Sequence, residues 1–189
     1  MRTITYGGAV SLDGFLAGLD GSIDWLHFSK DVQQIMTEFW KDVDTILMGR
    51  KTYEVSRAQR RAAGKNRKKA EGASPAGSRK MPTMRSYVFS RTLKESPDPG
   101  VELVTHDAVE FVRDLKRRPG KRICLMGGGE LAQSLLAAGL VDEIGLNIHP
   151  ILLGSGIPVF RDPGHRVKLA LAESRVIEGG CILASYNAL

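Results

Sequence analysis

The chain is poor in several things. It has two cysteines, Cys124 and Cys181, too few for a disulfide framework or a structural zinc site. Cys124 sits in an apolar run and reads as a buried thiol, so a reducing, cytoplasmic setting is expected. No stretch approaches the roughly 18 consecutive apolar residues of a membrane span. The opening MRTITYGGAV has no apolar core of the signal-peptide kind, and none is expected. Aromatic residues make up only 6% of the chain. The sequence contains neither GxGxxG nor GxxxxGK[ST], which removes support for a Rossmann domain or a P-loop NTPase. The four histidines, His27, His106, His149 and His165, are scattered without ligand spacing, so no metal site is expected.

What is present suits one globular domain spanning residues 1–189, with 42% hydrophobic and 25% charged residues. The net charge of +6 is unevenly placed. Between Arg57 and Lys80 stand nine Lys/Arg and one acid, Glu71, while the remainder is slightly acidic. The stretch from 57 to 82 is Ala, Gly, Arg, Lys and Ser with almost no large apolar residue, and is predicted to be a basic, flexible loop. A nucleic-acid partner is the reading that loop invites. It is disfavoured, because no aromatics are interleaved to stack bases and no recognition-helix periodicity exists.

Elsewhere the pattern alternates between strand and helix. Strands are predicted over residues 3–10, 45–48, 83–90, 101–104, 122–126 and 141–148. Val32, Ile35, Met36, Phe39 and Trp40 recur at helical spacing, giving an amphipathic helix of about three turns. Further helices are expected after Gly49, from Ala108 to the stop at Pro119-Gly120, and over 130–138 with Gly139 as the C-terminal stop. Residues 167–177 and 181–186 flank Glu178-Gly179-Gly180 as a terminal β-hairpin. The order predicts an α/β fold: a mostly parallel mixed sheet with a C-terminal antiparallel hairpin.

Two places run a strand into a glycine turn and then a helix: Leu47-Met48-Gly49-Arg50-Lys51-Thr52 and Leu125-Met126-Gly127-Gly128-Gly129-Glu130. A helix N-terminus offers free N–H groups and partial positive charge, and glycine lets a phosphate approach the backbone. Two such turns at one end of a parallel sheet would share a crevice able to take a dinucleotide pyrophosphate. Either turn could equally serve packing alone. Asp13 and Asp24 flank a Gly-rich loop, where turn formation and capping are an aspartate's commoner work. Gly154-Ser155-Gly156 after His149-Pro150 reads on composition as a Gly/Pro-shaped loop.

Taken in order, five pieces resemble the dihydrofolate reductase-like superfamily. Within it they are most similar to the C-terminal reductase domain of the bifunctional riboflavin-biosynthesis deaminase–reductase and its stand-alone relatives. The pieces are Ser11-Leu12-Asp13-Gly14, Met48 to Glu54, Val88-Phe89-Ser90-Arg91, Gly127 to Leu131, and Pro150 to Pro158. The resemblance implies a three-layer α/β sandwich and an NADPH-dependent reductase. It implies cofactor binding by Gly49, Arg50, Lys51, Thr52, Ser90, Arg91, Gly127, Gly128, Gly129 and Glu130. It implies a loop around Asp13 over the nicotinamide. Asp13 and Asp24, which flank that loop, are the acid or proton-relay candidates. It implies substrate contacts from His149, Pro150, Gly154, Ser155 and Gly156, and a homodimer. The expected activity is reduction of a small heterocyclic or sugar-linked substrate, with 5-amino-6-(5-phosphoribosylamino)uracil as the family's example. Two alternatives stand beside it: a dihydrofolate or pterin reductase, and a non-catalytic nucleotide-binding member. True dihydrofolate reductases carry a carboxylate on the first helix. Here that stretch is Asp31-Val32-Gln33-Gln34. A deaminase zinc signature is absent.

Overall fold

Ten strands and four helices follow one another in a computed structural model that describes residues 1–58, 84–93 and 98–189. They are β1 (Ile4–Ser11), β2 (Phe15–Ala17), α1 (Lys30–Lys41), β3 (Val43–Gly49), α2 (50–58), β4 (Arg85–Phe89) and β5 (Val101–Val104). After these come α3 (Ala108–Arg117), β6 (Arg122–Gly127), α4 (Gly129–Ala137), β7 (Glu143–His149), β8 (Ile157–Pro158), β9 (Leu169–Ile177) and β10 (Cys181–Ala188). The predicted loop over 57–82 lies outside the described residues from 59 onward. Its first two residues, Arg57 and Ala58, instead lie in α2, with Arg57 paired to Asp98 at 3.3 Å.

Eight strands form one sheet in the order β5-β4-β3-β6-β1-β7-β10-β9. The first six are parallel, and β10 and β9 add antiparallel at one edge. This is the mixed sheet the sequence predicts. Adjacent residues of a strand face opposite sides, so a sheet covered on both faces needs apolar residues at consecutive positions. Leu47 and Met48 on β3 show this, as do Tyr87 and Val88 on β4. Leu47 and Tyr87 join the larger core, with Ile4, Tyr6, Ile123, Leu125, Val112 and Leu115 of α3, and Leu131 and Leu135 of α4. Met48 and Val88 pack on Tyr53 of α2 on the other side. Helices thus lie on both faces, which makes the three layers.

Three helices start in three ways. Ser29 caps α1, its hydroxyl accepting from Val32 N at 3.2 Å. Asp107 caps α3, its carboxylate accepting from Glu110 N at 2.8 Å. The α4 N-cap is Gly128, with no side chain to accept anything. Helix α1 forms as its spacing predicts, but its apolar face is not core. Val32, Ile35, Phe39 and Trp40 are only half-buried, and Met36 is exposed. The reason is placement: α1 meets the sheet chiefly through β3.

The rim where the parallel strands begin is laced with charge. Arg2, almost fully buried, pairs with Asp44 and bonds Thr45 Oγ1 and the Lys121 carbonyl, both at 2.7 Å. Lys116, also buried, donates to Asp142 at 2.6 Å and to the Leu140 carbonyl at 3.0 Å. Asp142 in turn accepts from Ile4 N at 2.7 Å. Arg122 pairs with Glu143 and with Asp42, and bonds Thr5 Oγ1. These groups stand at the starts of β1, β3, β6 and β7. Each buried cation has a carboxylate and a further acceptor, the condition under which burying charge is tolerated.

Candidate functional site

The opposite rim, where the parallel strands end, holds an open cleft of about 680 Å³. Strands β3, β4, β5 and β6 run into it, and α2, α3 and α4 start from it. Three helix N-termini therefore direct partial positive charge at one space, that of α3 already capped by the Asp107 carboxylate.

The two glycine turns meet here, as the sequence predicts. Gly49 and Gly128 are in backbone contact: a Cβ on Gly49 would stand 3.2 Å from Gly128 Cα. Thr52, half-buried, lies beside Gly127 and Gly128. Gly127 and Gly128 have φ values of +111° and +97°, which only glycine adopts readily. The turn from β6 into α4 is made by these two residues.

Among the predicted cofactor residues, Gly49, Arg50, Lys51, Ser90, Arg91, Gly128, Gly129 and Glu130 line the cleft. Thr52 and Gly127 sit just behind this wall. Arg50 is ion-paired along its helix to Glu54 at 3.1 Å, an exposed pair that a phosphate can replace at small cost. The Ser90 hydroxyl accepts from Thr92 N and Leu93 N, folding the turn that presents Arg91. The Glu130 carboxylate is 88% exposed and would repel an anion. Only its backbone N–H suits a phosphate, which narrows the role expected of that residue.

His106 and Arg161 are among the cleft residues that the sequence pattern does not assign to a site. His106 lies between β5 and α3, its ring 5.6 Å from that of Phe111. The β5–α3 junction has no glycine, so a search for strand–glycine–helix turns passes over it. The Asp107 cap was its available signal. Arg161 comes from the segment after β8 and crosses to the first turn of α4. It belongs to no periodic pattern, and no local signal marks it.

The residues expected at the substrate end lie outside the lining of this cleft. Asp13 is a staple. One oxygen accepts from the Ser11 hydroxyl at 2.6 Å and from Leu153 N at 3.2 Å, the other from Gly154 N at 2.8 Å. The Ser11 bond, aided by the two N–H groups, holds its carboxyl below the usual carboxylate range. An acceptor so engaged is kept ionised, and its hydrogen bonds give Asp13 a structural part in joining the loop to the segment at Leu153 and Gly154. Asp24 sits exposed on a turn of the same loop. Gly154 belongs to the Asp13 staple, and Ser155 is exposed. A Cβ on Gly156 would lie 2.3 Å from the Ala17 carbonyl, so this glycine lets the strap meet β2. Gly154 and Gly156 thus shape the strap.

His149 is 3% exposed and stands under Trp25, the rings edge-on at 5.3 Å. Its Nδ1 is 3.4 Å from Cys181 Sγ and its Nε2 is 3.2 Å from Asn147 Nδ2. Burial, reinforced by His27, lowers its pKa and favours the neutral ring. Beside it, Trp25 Nε1 and Asn147 Oδ1 are buried without a hydrogen-bond partner among the described residues. Pro150 follows, exposed. Asp31, the candidate carboxylate of the first helix, accepts from Glu178 N at 3.1 Å and so ties α1 to the terminal hairpin.

Residues 150–162 form a strap from the end of β7 back across β1 to α4. Leu12 N donates to the Ile151 carbonyl, β8 pairs with β2, and Val159 N donates to the Gly14 carbonyl. The Tyr6 hydroxyl, its pKa pushed up to about 12 by burial, donates to the Val159 carbonyl. No three metal-binding side chains cluster among the described residues. No helix among them is long and apolar enough to cross a membrane.

Fold and cleft together define a dihydrofolate reductase-like α/β domain with a cleft suited to a phosphate-bearing ligand. The chain belongs to the RibD C-terminal domain family, whose model matches residues 2–183. It is 34% identical over 188 residues to YyaP of Bacillus subtilis strain 168, covering 98% of this chain and 95% of that protein. It is 33% identical over 171 residues to YwjB of the same organism, covering 90% and 88%. Both are uncharacterized. Among solved structures, a Shewanella sp. PV-4 protein provisionally assigned to riboflavin biosynthesis superposes with a TM-score of 0.78 at 26% identity, covering all of this chain and 99% of the other. A pyrimidine reductase-like protein of Corynebacterium diphtheriae shares the fold, with a TM-score of 0.67 at 18% identity and coverage of 100% and 92%. The deaminase/5-amino-6-(5-phosphoribosylamino)uracil reductase of Thermotoga maritima shares it too, also at 0.67 and 18%. This chain covers 57% of that longer protein.

Proposed function

We propose that the protein is an NADPH-dependent reductase that transfers hydride from the nicotinamide to a C=N or C=O of a small heterocyclic or sugar-linked substrate. The observation that carries this reading is the convergence of three helix N-termini on a cleft rimmed by Arg50, Lys51, Arg91 and Arg161. The residues fit the cofactor. The uncapped start of α4 leaves N–H groups for a pyrophosphate, and the bare Gly49–Gly128 contact leaves its approach clear. Arg50 and Arg91 suit the 2′-phosphate that separates NADPH from NADH.

The cofactor would supply the hydride. The chain's own residues bind and orient it and exclude water. The loop from Leu12 to Ser29, stapled through Asp13, would cover the nicotinamide end. The unpaired donor on Trp25 and acceptor on Asn147 suit the amide edge of a heterocycle. The family favours 5-amino-6-(5-phosphoribosylamino)uracil or a related compound as substrate. A folate substrate is less well served, because Asp31 is committed to Glu178 N.

The test has two stages. Titration of the purified protein with NADPH should enhance nicotinamide fluorescence. A panel of pyrimidine, pterin and sugar-linked carbonyl substrates should then oxidise the cofactor, read as loss of its absorbance. Absence of binding overturns the reading. Binding without turnover of any of them favours the non-catalytic alternative.

A further inference from the structure

The Arg161 guanidinium lies over the first turn of α4. A Cβ built on Gly129 would meet Arg161 Nε at 2.6 Å, Cδ at 3.1 Å and Cζ at 3.3 Å. The side chain thus occupies the space that any residue larger than glycine would fill. Its ion pair with Glu130 spans 3.8 Å between groups 48% and 88% exposed. Such a pair contributes little and does not account for the placement.

The backbone that carries Arg161 is fixed on both sides. Before it, Val159 is buried and bonded to Gly14 and Tyr6, and the Phe160 ring packs edge-on against Tyr6 at 5.9 Å. After it, the Asp162 carbonyl accepts from the Gln133 side chain of α4. The strap therefore delivers one arginine to one place, beside the helix start that has no side-chain cap. Electrostatics adds a reason. The exposed carboxylate of Glu130 stands in that first turn and opposes any anion approaching the free N–H groups, and Arg161 neutralises it.

We infer that Arg161 is a direct binding residue for the cofactor pyrophosphate. It closes over the diphosphate from the strap side while the α4 backbone holds it from below. Gly129 is small so that Arg161 can reach. This rests on the reading of the cleft as a dinucleotide site and adds to it a residue from a distant part of the chain. The pyrophosphate is common to NADPH and NADH, whereas the 2′-phosphate is not, and this separates the two places an arginine could act.

The experiment is fluorescence titration of the full-length protein and its variants with NADPH and with NADH. Arg161→Ala should weaken both cofactors by the same factor, on the order of tenfold, as expected for loss of a charge-assisted contact. Gly129→Ala should weaken both similarly, because its Cβ displaces the arginine. The double variant should be no weaker than the worse single one, and Arg161→Lys should recover part of the loss. Thermal melting of each variant should stay close to that of the parent, since Arg161 is half-exposed and Gly129 lacks a left-handed φ. Loss confined to NADPH would place Arg161 at the 2′-phosphate and overturn the assignment. So would parental affinity in Arg161→Ala. A parent protein that binds neither cofactor overturns the reading of the cleft, and this assignment with it.

Discussion

Gly128 and Gly49 sit so close that a Cβ on Gly128 would stand 2.9 Å from Gly49 Cα and 3.2 Å from Gly49 N. The two phosphate-type turns are packed against each other through their glycines. The contact makes Gly128→Ala a change to the fold as well as to the cleft. Gly128 also carries φ +97°, where a side chain is strained. The substitution should lower stability by at least about 1 kcal/mol, from strain and from forcing β3 and β6 apart. Thermal melting without ligand checks this, and an unchanged melting temperature would refute it.

NADPH should bind more tightly than NADH. Arg91 is presented by the Ser90 turn, and Lys51 lies on the rim near Arg50. One guanidinium–phosphate contact contributes about 1.5–3 kcal/mol, so the preference should be about tenfold or more. Arg91→Ala should reduce the ratio of the two affinities, and equal affinities in the parent protein would contradict this account.

Acid should weaken the fold through His149. Its folded-state pKa is lowered, so below about 6.5 the unfolded chain takes up a proton that the buried ring resists. This contribution is fully present above pH 6.5 and is lost as pH falls toward the folded value. Melting temperature should therefore drop between about pH 7 and pH 5. His149→Gln should flatten that slope, whatever it does to stability at neutral pH. A parallel slope in the variant would exclude His149 as the source.

Asp13→Ala should free the strap locally. Leu153 N and Gly154 N lose their acceptor, and the Ser11 hydroxyl loses its partner. Hydrogen exchange at those two amides should accelerate while exchange in β3 and β6 stays unchanged. Because the Asp13 carboxyl is held below its ordinary range, the same loosening should appear in the parent protein as pH falls through that lowered value.

We propose that the chain forms a homodimer through its last two strands. The β9–β10 register, with its irregularity at Ser185/Tyr186, sets Leu169, Leu171, Val176 and Ile182 on one face of the hairpin. All four are exposed. A row of this kind along an edge pair calls for a cover, and a second copy offers a matching row. Light scattering at micromolar concentration should give twice the chain mass, and Val176→Glu with Leu171→Glu should give a monomer.

Most of the sheet was legible because both-face burial writes consecutive apolar residues into β3, β4 and β6, and glycine marks where two of them turn into helices. The β2–β8 pair was not legible. Each strand is two or three residues long, and their pairing depends on the Gly156 approach to Ala17, which joins positions far apart in sequence. The cleft's glycines were readable for the same local reason, while Arg161 was not, because only the folded strap carries it to α4. Asp13 was visible as a loop aspartate. Its partners Leu153 and Gly154 lie some 140 residues onward, so its work as a staple could not be read from its neighbours.

The charged lacework where the parallel strands begin divides labour within the sheet. Arg2, Lys116 and Arg122 bind the starts of β1, β3, β6 and β7 to one another, about as far from the cleft as the strands allow. The frame is secured at one end, so sequence change at the other end is free to follow chemistry. Loops could be exchanged around Asp24, Arg91 or His106 without unfastening what holds the strands in order. A sheet anchored in this way is a platform on which substrate range can drift faster than fold, and it offers the same freedom to anyone who would graft a new specificity onto it.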